Sequence, residues 1–390
     1  MSRCTILIGG DVCPINRNLP AFRQGVAAPI FNDLLPEFAA ADFSVVNLEC
    51  PLIDAPTPIA KAGATLGVDP RCLEAIKNAG IGAVNLANNH IMDHGPQGLR
   101  RTIRACREAG VDFFGAGENL AEAGQPLIKD FAGPRVAFLG MAEHEFSIAG
   151  RASPGANPLD VIYFRRFVRE RQKDYDHLIA LLHAGKEHYP YPSPTLQKTC
   201  RFLGEEGASA VICQHSHCPG SFESYRGAAL VYGQGNLLFD SFDFTATWEE
   251  FPNGFLVKLT LERNLPGAAL EIVPHTQPAQ SSGVRRMDPT EEAGLRSKLD
   301  ERNRALADEA EIERLWSQLC EGLRDPYMSI LRGHGRWLTG LNRRLAFVWR
   351  LYSRRAVGNL LGIVRCEIHH EVLTTVLCAL DDRVNRRGRT

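Results

Sequence analysis

The 390-residue sequence predicts an α/β fold, on two observations. Short apolar runs alternate with longer amphipathic stretches through the first two thirds of the chain. Carboxylate, amide and imidazole side chains stand at the ends of those runs, where an open α/β sheet places its ligand crevice. Residues 4–8 (Cys-Thr-Ile-Leu-Ile) read as the first buried strand. Strands follow at 43–48, 82–86, 135–140, 177–182 and 209–213, with two more at 228–232 and 254–261. Helical patterns at 29–41, 70–79, 96–109, 160–172 and 193–206 separate several of them, so the sheet is expected to be largely parallel or mixed.

Composition is that of an ordinary globular protein, 44% hydrophobic and 23% charged, and the length allows a sizeable core. A net charge of −1 gives no pull towards nucleic acid. The 11 cysteines are odd in number and lack CxxC pairs, so they read as mostly buried free thiols in a reducing compartment. No run reaches the ~18 apolar residues of a membrane span, and no secretory pattern precedes Asp11. The expectation is a cytoplasmic protein without a transmembrane segment.

Residues 1–275 form the expected main domain. Residues 276–290 carry Pro, Gln, Ser and Gly as a linker would, and residues 291–390 read as a helical accessory region. Within it, residues 326–390 hold 12 Arg, no Lys and four acidic residues, a local excess of 12 − 4 = +8. Arg343, Arg344, Arg354, Arg355, Arg386 and Arg387 are interleaved with Trp337, Phe347, Trp349 and Tyr352. Such a tail reads first as a helical cap with solvated arginines. It also suits an anionic polymer or phosphorylated substrate, or peripheral contact with anionic lipid. Cys366, Glu367, His369 and His370 look like a metal cluster on paper. On a helix they point in different directions, and Val364, Ile368, Val372 and Leu373 suggest a buried stripe, so they are left out of the site.

The site is expected at five strand ends. Asp11 follows the first strand through Gly9 and Gly10, Glu49 closes the second, and Asn88, Asn89 and His90 follow the third. His183 ends the strand at 177–182, and His215 and His217 follow that at 209–213. Hard carboxylates mixed with imidazoles suit one or two divalent ions of Mn, Fe or Zn better than Ca. Two such ions can clamp a phosphoryl oxygen and activate a water for in-line attack. Asn89 could ligate through its carbonyl, with His90 beside the metals as proton donor. Taken singly, each residue has a plainer reading as cap, turn or hydrogen-bonded histidine. His215 and His217 are the strongest pair, because residues two apart in extended backbone face the same way.

The motifs resemble the CapA family of poly-γ-glutamate capsule biosynthesis proteins, within the calcineurin-like metallophosphoesterase superfamily. The matching stretches are Gly10-Asp11-Val12, Asn47-Leu48-Glu49, Asn85-Leu86-Ala87-Asn88-Asn89-His90 with Asp93 and Gly95, His183-Ala184-Gly185-Lys186-Glu187, His215-Ser216-His217, and Tyr232 to Asp240. They stand in the family's order over about residues 3–245. The resemblance implies a four-layer αββα sandwich with the metal centre at one sheet edge. It implies Asp11, Glu49, Asn89, His183, His215 and His217 as ligands and His90 as catalytic acid. It places Glu187, with Asp93 and Asn88, near the substrate or behind the ligands, and leaves Asn236 and Asp240 to brace loops. Three departures stand out. Cys13 replaces the histidine of the usual Asp-x-His and is read as packing. Ala184 stands for a common Trp, and Ser216 for the usual Pro.

The expected function is metal-dependent hydrolysis, of a phosphoester first, on an anionic small-molecule or polymer substrate in envelope polymer or secondary metabolism. Two other readings stay open. One is a non-hydrolytic polymer-binding partner of a capsule assembly system, and the other is γ-glutamyl amide hydrolysis or transfer at the same centre.

Overall fold

A computed structural model describes residues 3–61, 63–240, 249–331 and 353–387. Two sheets dominate. The first runs β16 (Arg285–Arg286), β15 (Ala269–Thr276), β14 (Asn253–Glu262), β1 (Arg3–Cys13), β2 (Phe43–Leu48), β3 (Ala83–Asn85) and β4 (Asp112–Phe114), with β13 (Asn236–Phe239) pairing β1 off this path. The second runs β11 (Phe222–Tyr225), β12 (Ala228–Val231), β10 (Ala210–Gln214), β9 (His177–His183), β7 (Arg135–Ala142) and β6 (Leu127–Asp130). A small pair joins β5 (Ala116–Gly117) to β8 (Gly155–Ala156). Strands β1 to β4 are parallel, as are β7, β9, β10 and β12, while β14, β15, β6 and β11 add antiparallel edges.

Alternation along each strand sorts its side chains into two cores. Ile6, Ile8 and Val45 meet Phe138, Ile179, Leu181 and Ile212 between the two sheets. On the outer face of the first sheet, Leu7, Val46 and Val84 pack under Leu73, Ile76, Leu99 and Ile103 of the helices Cys72–Asn78 and Gly95–Ala109. Outside the second sheet, Leu178, Ala180 and Val211 pack under Phe164, Phe167, Leu196 and Leu203 of Val161–Arg171 and Pro194–Glu205. The layers are therefore helix, sheet, sheet, helix. Strands covered on both faces read as unbroken apolar runs, which is why β9 is His-Leu-Ile-Ala-Leu-Leu-His.

Three details differ from the sequence reading. The first strand runs on through Asp11 to Cys13 rather than stopping at residue 8, with register breaks before and after Asp11. The helix expected at 29–41 is three pieces, Ala28–Phe31, Asn32–Leu34 and Leu35–Ala40. Asn32 takes φ +44, and Pro36 has no N–H to donate to the preceding turn. The short strands β4, β6, β11 and β13, and the longer β15, carry too little periodicity to be read alone.

Residues beyond 276 pack closely on the sheets. The Val284 N–H donates to Ile30 O at 2.7 Å. Helix Pro289–Leu306 opens on an Asp288–Glu291 capping box, which satisfies two otherwise orphaned amides. Its Leu295 and Leu299, with Met287, enter the core between the sheets. Helices Glu309–Leu331, Arg354–Arg365 and Glu367–Arg387 close a further cluster with Tyr189 around Trp316, Cys320, Ile363 and Val372. Ile368, Val372 and Leu373 are buried as expected, but Val364 is 58% exposed. Arg354 and Arg355 are exposed. Arg343, Arg344, Trp337, Phe347, Trp349 and Tyr352 lie outside the described residues, as do the side chains of Arg386 and Arg387. Among the described residues, no helix is long and apolar enough to cross a membrane, and all ten cysteines are free and buried.

Candidate metal centre

The parallel strands of both sheets deliver their polar residues to one seam. Asp11 pairs Asn47 of β2 on one side and Asn236 of β13 on the other, at a local irregularity of β1. Such irregularities re-aim a side chain next to a site. Gly10 has to be glycine here, because a Cβ would stand 2.0 Å from Gly235 O. Glu49 follows β2, Asn88 to His90 follow β3, His183 closes β9, and His215 and His217 follow β10.

Two triads of ligand atoms emerge. Asp11, Glu49 and His183 lie within 4.8 Å of one another, and so do Glu49, His215 and His217. Glu49 belongs to both. His183 Nε2 is 3.3 Å from Glu49 Oε1 and 3.0 Å from Asn89 Oδ1. His217 Nδ1 is 3.6 Å from Asp11 Oδ2, and its Nε2 is 3.8 Å from Glu49 Oε1. All six expected ligand residues are thus brought together.

The residues present fit a cation. Both oxygens of the fully buried Glu49 and Nδ1 of His215 are buried with no hydrogen-bond partner. A buried carboxylate left unpaired is costly, and a bound ion removes that cost. Burial and the charge of Asp11 push the Glu49 carboxyl well above the usual range. Burial, with His183 and His217 beside it, holds His215 well below its ordinary value. Burial likewise lowers His183 against the pull of Asp11. At His217 burial opposes the charged form, but Glu49 and Asp11 outweigh it and raise the pKa. A divalent ion would favour carboxylate at Glu49 and neutral imidazole at the three histidines, the forms that ligate.

The sequence reading of His215 and His217 needs correction in its reason. They do not share a face through extended backbone. Strand β10 ends at Gln214, and the two histidines take φ +90 and +52. Left-handed backbone at non-glycine residues costs of order 1–3 kcal/mol each and is retained where the surroundings over-determine it. Asp11 Oδ2 accepts from the His215 N–H at 3.0 Å and helps fix that loop.

His90 stands at the cleft with Nδ1 2.7 Å from Asp93 Oδ2. Burial lowers its pKa, against the raising effect of Asp93. Asp93 is fully buried and forms a second ion pair with Lys61, whose Nζ is also 3.2 Å from His90 Nδ1. Asn88 faces away from the cleft, donating to Leu48 O at 2.9 Å and accepting from the His90 N–H at 3.2 Å. Glu187 is exposed and lines the cleft. Asn236 Oδ1 lies 2.9 Å from His217 Nδ1, while Asp240 holds Arg17. Cys13 is buried in the core beside Cys50 and takes no place in either triad.

Several groups at the site were not singled out from sequence. Asn47 Nδ2 donates to Asp11 Oδ1 at 2.7 Å, and the motif Asn47-Leu48-Glu49 was its one signal. Lys61 and Glu145 come from loops without periodicity. His369 reaches the same cleft from helix Glu367–Arg387, so its exclusion from the site is corrected. The cleft has a volume of about 670 Å³. Asn89, His90 and His217 stand on its metal side, Phe146, Phe239 and Phe251 on its walls, and Ile363 and His369 on its C-terminal side.

A family model described as "Bacterial capsule synthesis protein PGA_cap" matches residues 5–241. The chain is 29% identical over 255 residues to a capsule biosynthesis protein CapA of Bacillus anthracis, covering 63% of this chain and 60% of that protein. It is 27% identical over 255 residues to a PGA biosynthesis protein CapA of Bacillus subtilis, covering 64% and 66%. The chain thus spans less than two thirds of the length of these relatives. Among solved structures it is similar to a novel phosphatase from Mycoplasma pneumoniae, with TM-score 0.47 and 15% identity over 75% of this chain and 97% of that one. It is also similar to the calcineurin-like phosphoesterase YfkN from Bacillus subtilis, with TM-score 0.38 and 12% identity over 80% and 97%.

Proposed function

Since the chain belongs to the bacterial capsule synthesis protein PGA_cap family, we propose that it is a metal-dependent hydrolase that cleaves a phosphoester in the metabolism of an envelope polymer. One observation carries the reading. Glu49 is fully buried, without a hydrogen-bond partner at either oxygen, and shared by two triads of metal-ligating side chains. Asp11 and His183 would hold one divalent ion and His215 and His217 a second, with Glu49 available to both. Asn89 Oδ1, next to His183 Nε2, adds a neutral oxygen donor. Transition ions such as Mn, Fe or Zn suit this mixture. When bound, such a pair supplies Lewis-acid polarisation of a phosphoryl oxygen and a water of lowered pKa.

The rest is the work of the chain. Asp93 engages Nδ1 of His90, which leaves Nε2 to face a leaving oxygen and protonate it. Lys61 neutralises Asp93 and fixes the loop that carries it over the cleft. Phe146, Phe239 and Phe251 limit water at the cleft walls. Glu187, and Glu145 beside it, set the charge that a substrate meets at the mouth, and two carboxylates there disfavour a second anionic group close to the scissile one.

The test is metal content and turnover of the full-length protein. Wild type loaded with Mn should hold about two equivalents and turn over members of a phosphoester panel. Metal binding with turnover confined to γ-glutamyl amides would replace the phosphoester reading by amide hydrolysis. No metal in the wild type after loading would overturn the hydrolase reading and favour a polymer-binding role.

A further inference from the structure

A second group of metal-ligating side chains lies on the C-terminal side of the cleft. Glu145, Cys366 and His369 bring a carboxylate oxygen, a sulfur and a ring nitrogen within 4.8 Å of one another. Glu145 comes from the loop after β7. Cys366 is the residue between helices Arg354–Arg365 and Glu367–Arg387, and His369 lies in the first turn of the second. Cys366 is fully buried, and His369 Nε2 is 3.8 Å from Glu145 Oε1.

We infer that Glu145, Cys366 and His369 form a site for a thiophilic divalent cation, of the Zn²⁺ class, which fastens the C-terminal helices over the cleft and is distinct from the Glu49 centre.

The donor chemistry carries the first part. Thiolate, imidazole and carboxylate together are a zinc set, and bonds of about 2.0–2.3 Å in tetrahedral geometry put ligand atoms roughly 3.3–3.8 Å apart. His369 Nε2 and Glu145 Oε1, at 3.8 Å, already stand at that spacing, and the Cys366 sulfur lies within 4.8 Å of both. The second part is an independent orphan. Glu143, 8% exposed, stands two residues before Glu145, and the charges of both bear on Cys366. Its Oε1 accepts weakly from the Gly185 N–H at 3.3 Å, while its Oε2 is buried without a hydrogen-bond partner. Burial pushes the Glu143 carboxyl well above its usual range, so an uncompensated acid stands in this wall. A divalent cation with the Cys366 thiolate and the Glu145 carboxylate is neutral overall, and the thiol proton leaves to solvent. Because His369 lines the cleft and Glu145 borders it, the ion would lock the wall that Ile363 and His369 present to a substrate.

The Glu49 centre offers only carboxylate, imidazole and amide donors, so a thiolate signal reports the new site alone. Full-length protein, stripped by chelation and titrated with Co²⁺, should develop a near-ultraviolet thiolate-to-cobalt charge-transfer band whose final intensity corresponds to one thiolate-bound Co²⁺ per chain. Cys366→Ser should abolish the band, and Cys13→Ser should keep it. His217→Ala should keep the band while losing an ion from the Glu49 centre, which separates failure of this proposal from failure of the hydrolase reading. His369→Ala should weaken Co²⁺ binding at the band by more than about tenfold, and it serves if Cys366→Ser does not fold. Absence of the band in wild type, or its survival in Cys366→Ser, would overturn the assignment.

Discussion

The Asp11 carboxylate accepts a hydrogen bond from the backbone N–H of His215 at 3.0 Å, joining the central strand of one sheet to a loop of the other. The same carboxylate faces Asn47 and His217. One residue therefore sets both the position of a strained loop and the electrostatics of two imidazoles, His183 and His217. The seam between the sheets and the candidate centre are the same piece of structure.

Glu49 stands in both triads, so its loss should act on both ions. Glu49→Gln is expected to lower bound metal from about two equivalents to below one, read by mass spectrometry of the Mn-loaded protein. His183→Ala and His217→Ala should each remove about one. Equal, complete loss in all three would speak against two separable ions.

His90 touches neither triad closely and is held by Asp93 at 2.7 Å. His90→Ala should therefore leave metal content unchanged and lower kcat by roughly 10²–10⁴, the usual range for general acid catalysis. Turnover at the wild-type rate would remove His90 from the mechanism.

Lys61 and Asp93 form a buried ion pair, with side chains 3% and 0% exposed. Breaking such a pair by removing one partner costs about 3–5 kcal/mol, because a bare charge stays buried. Lys61→Met and Asp93→Asn should each destabilise by that order in denaturant unfolding. The double variant should cost clearly less than the sum of the two. Strict additivity would mean that the pair is not coupled.

His275 is fully buried with neither ring nitrogen hydrogen-bonded, and burial pulls its pKa down to about 3. In the unfolded chain it titrates near 6.5, so below that pH the unfolded state binds the extra proton. Its contribution is present above pH 6.5 and is lost as pH falls from there towards 3, by about 1.4 kcal/mol per unit. His275→Phe should flatten the stability–pH profile over that window while changing stability at pH 7.5 much less. An unchanged slope would show that other groups set the acid limit.

Much of this architecture is legible along the chain, for a physical reason. Strands covered on both faces are written as unbroken apolar runs, and a polar residue that interrupts their ends, as Glu49 and His183 do, has to earn its burial by a specific contact. The seam residues could therefore be picked out one strand at a time. Lys61 and Glu145 could not, because loops carry no period and their partners are set by tertiary packing alone. A single helical wheel across Cys366 and His369 does not hold at Cys366. Cys366 takes φ −79 and ψ 123, between two helices, so a helical wheel does not describe where it points. His215 and His217 stand out in the sequence as a pair through an assumption about extended backbone that their positive φ values contradict.

The order of the ligands along the chain has a consequence for biogenesis. Asp11, Glu49 and Asn89 leave the ribosome first, and His183, His215 and His217 follow only after a long intervening stretch. A nascent chain that has formed β1 to β4 holds oxygen donors but none of the three imidazoles. Those first donors alone favour hard cations such as Mg²⁺. Both kinds of donor stand together only once β9 and β10 have docked on the first sheet, so a chain halted before that point offers none of the three imidazoles to a cation.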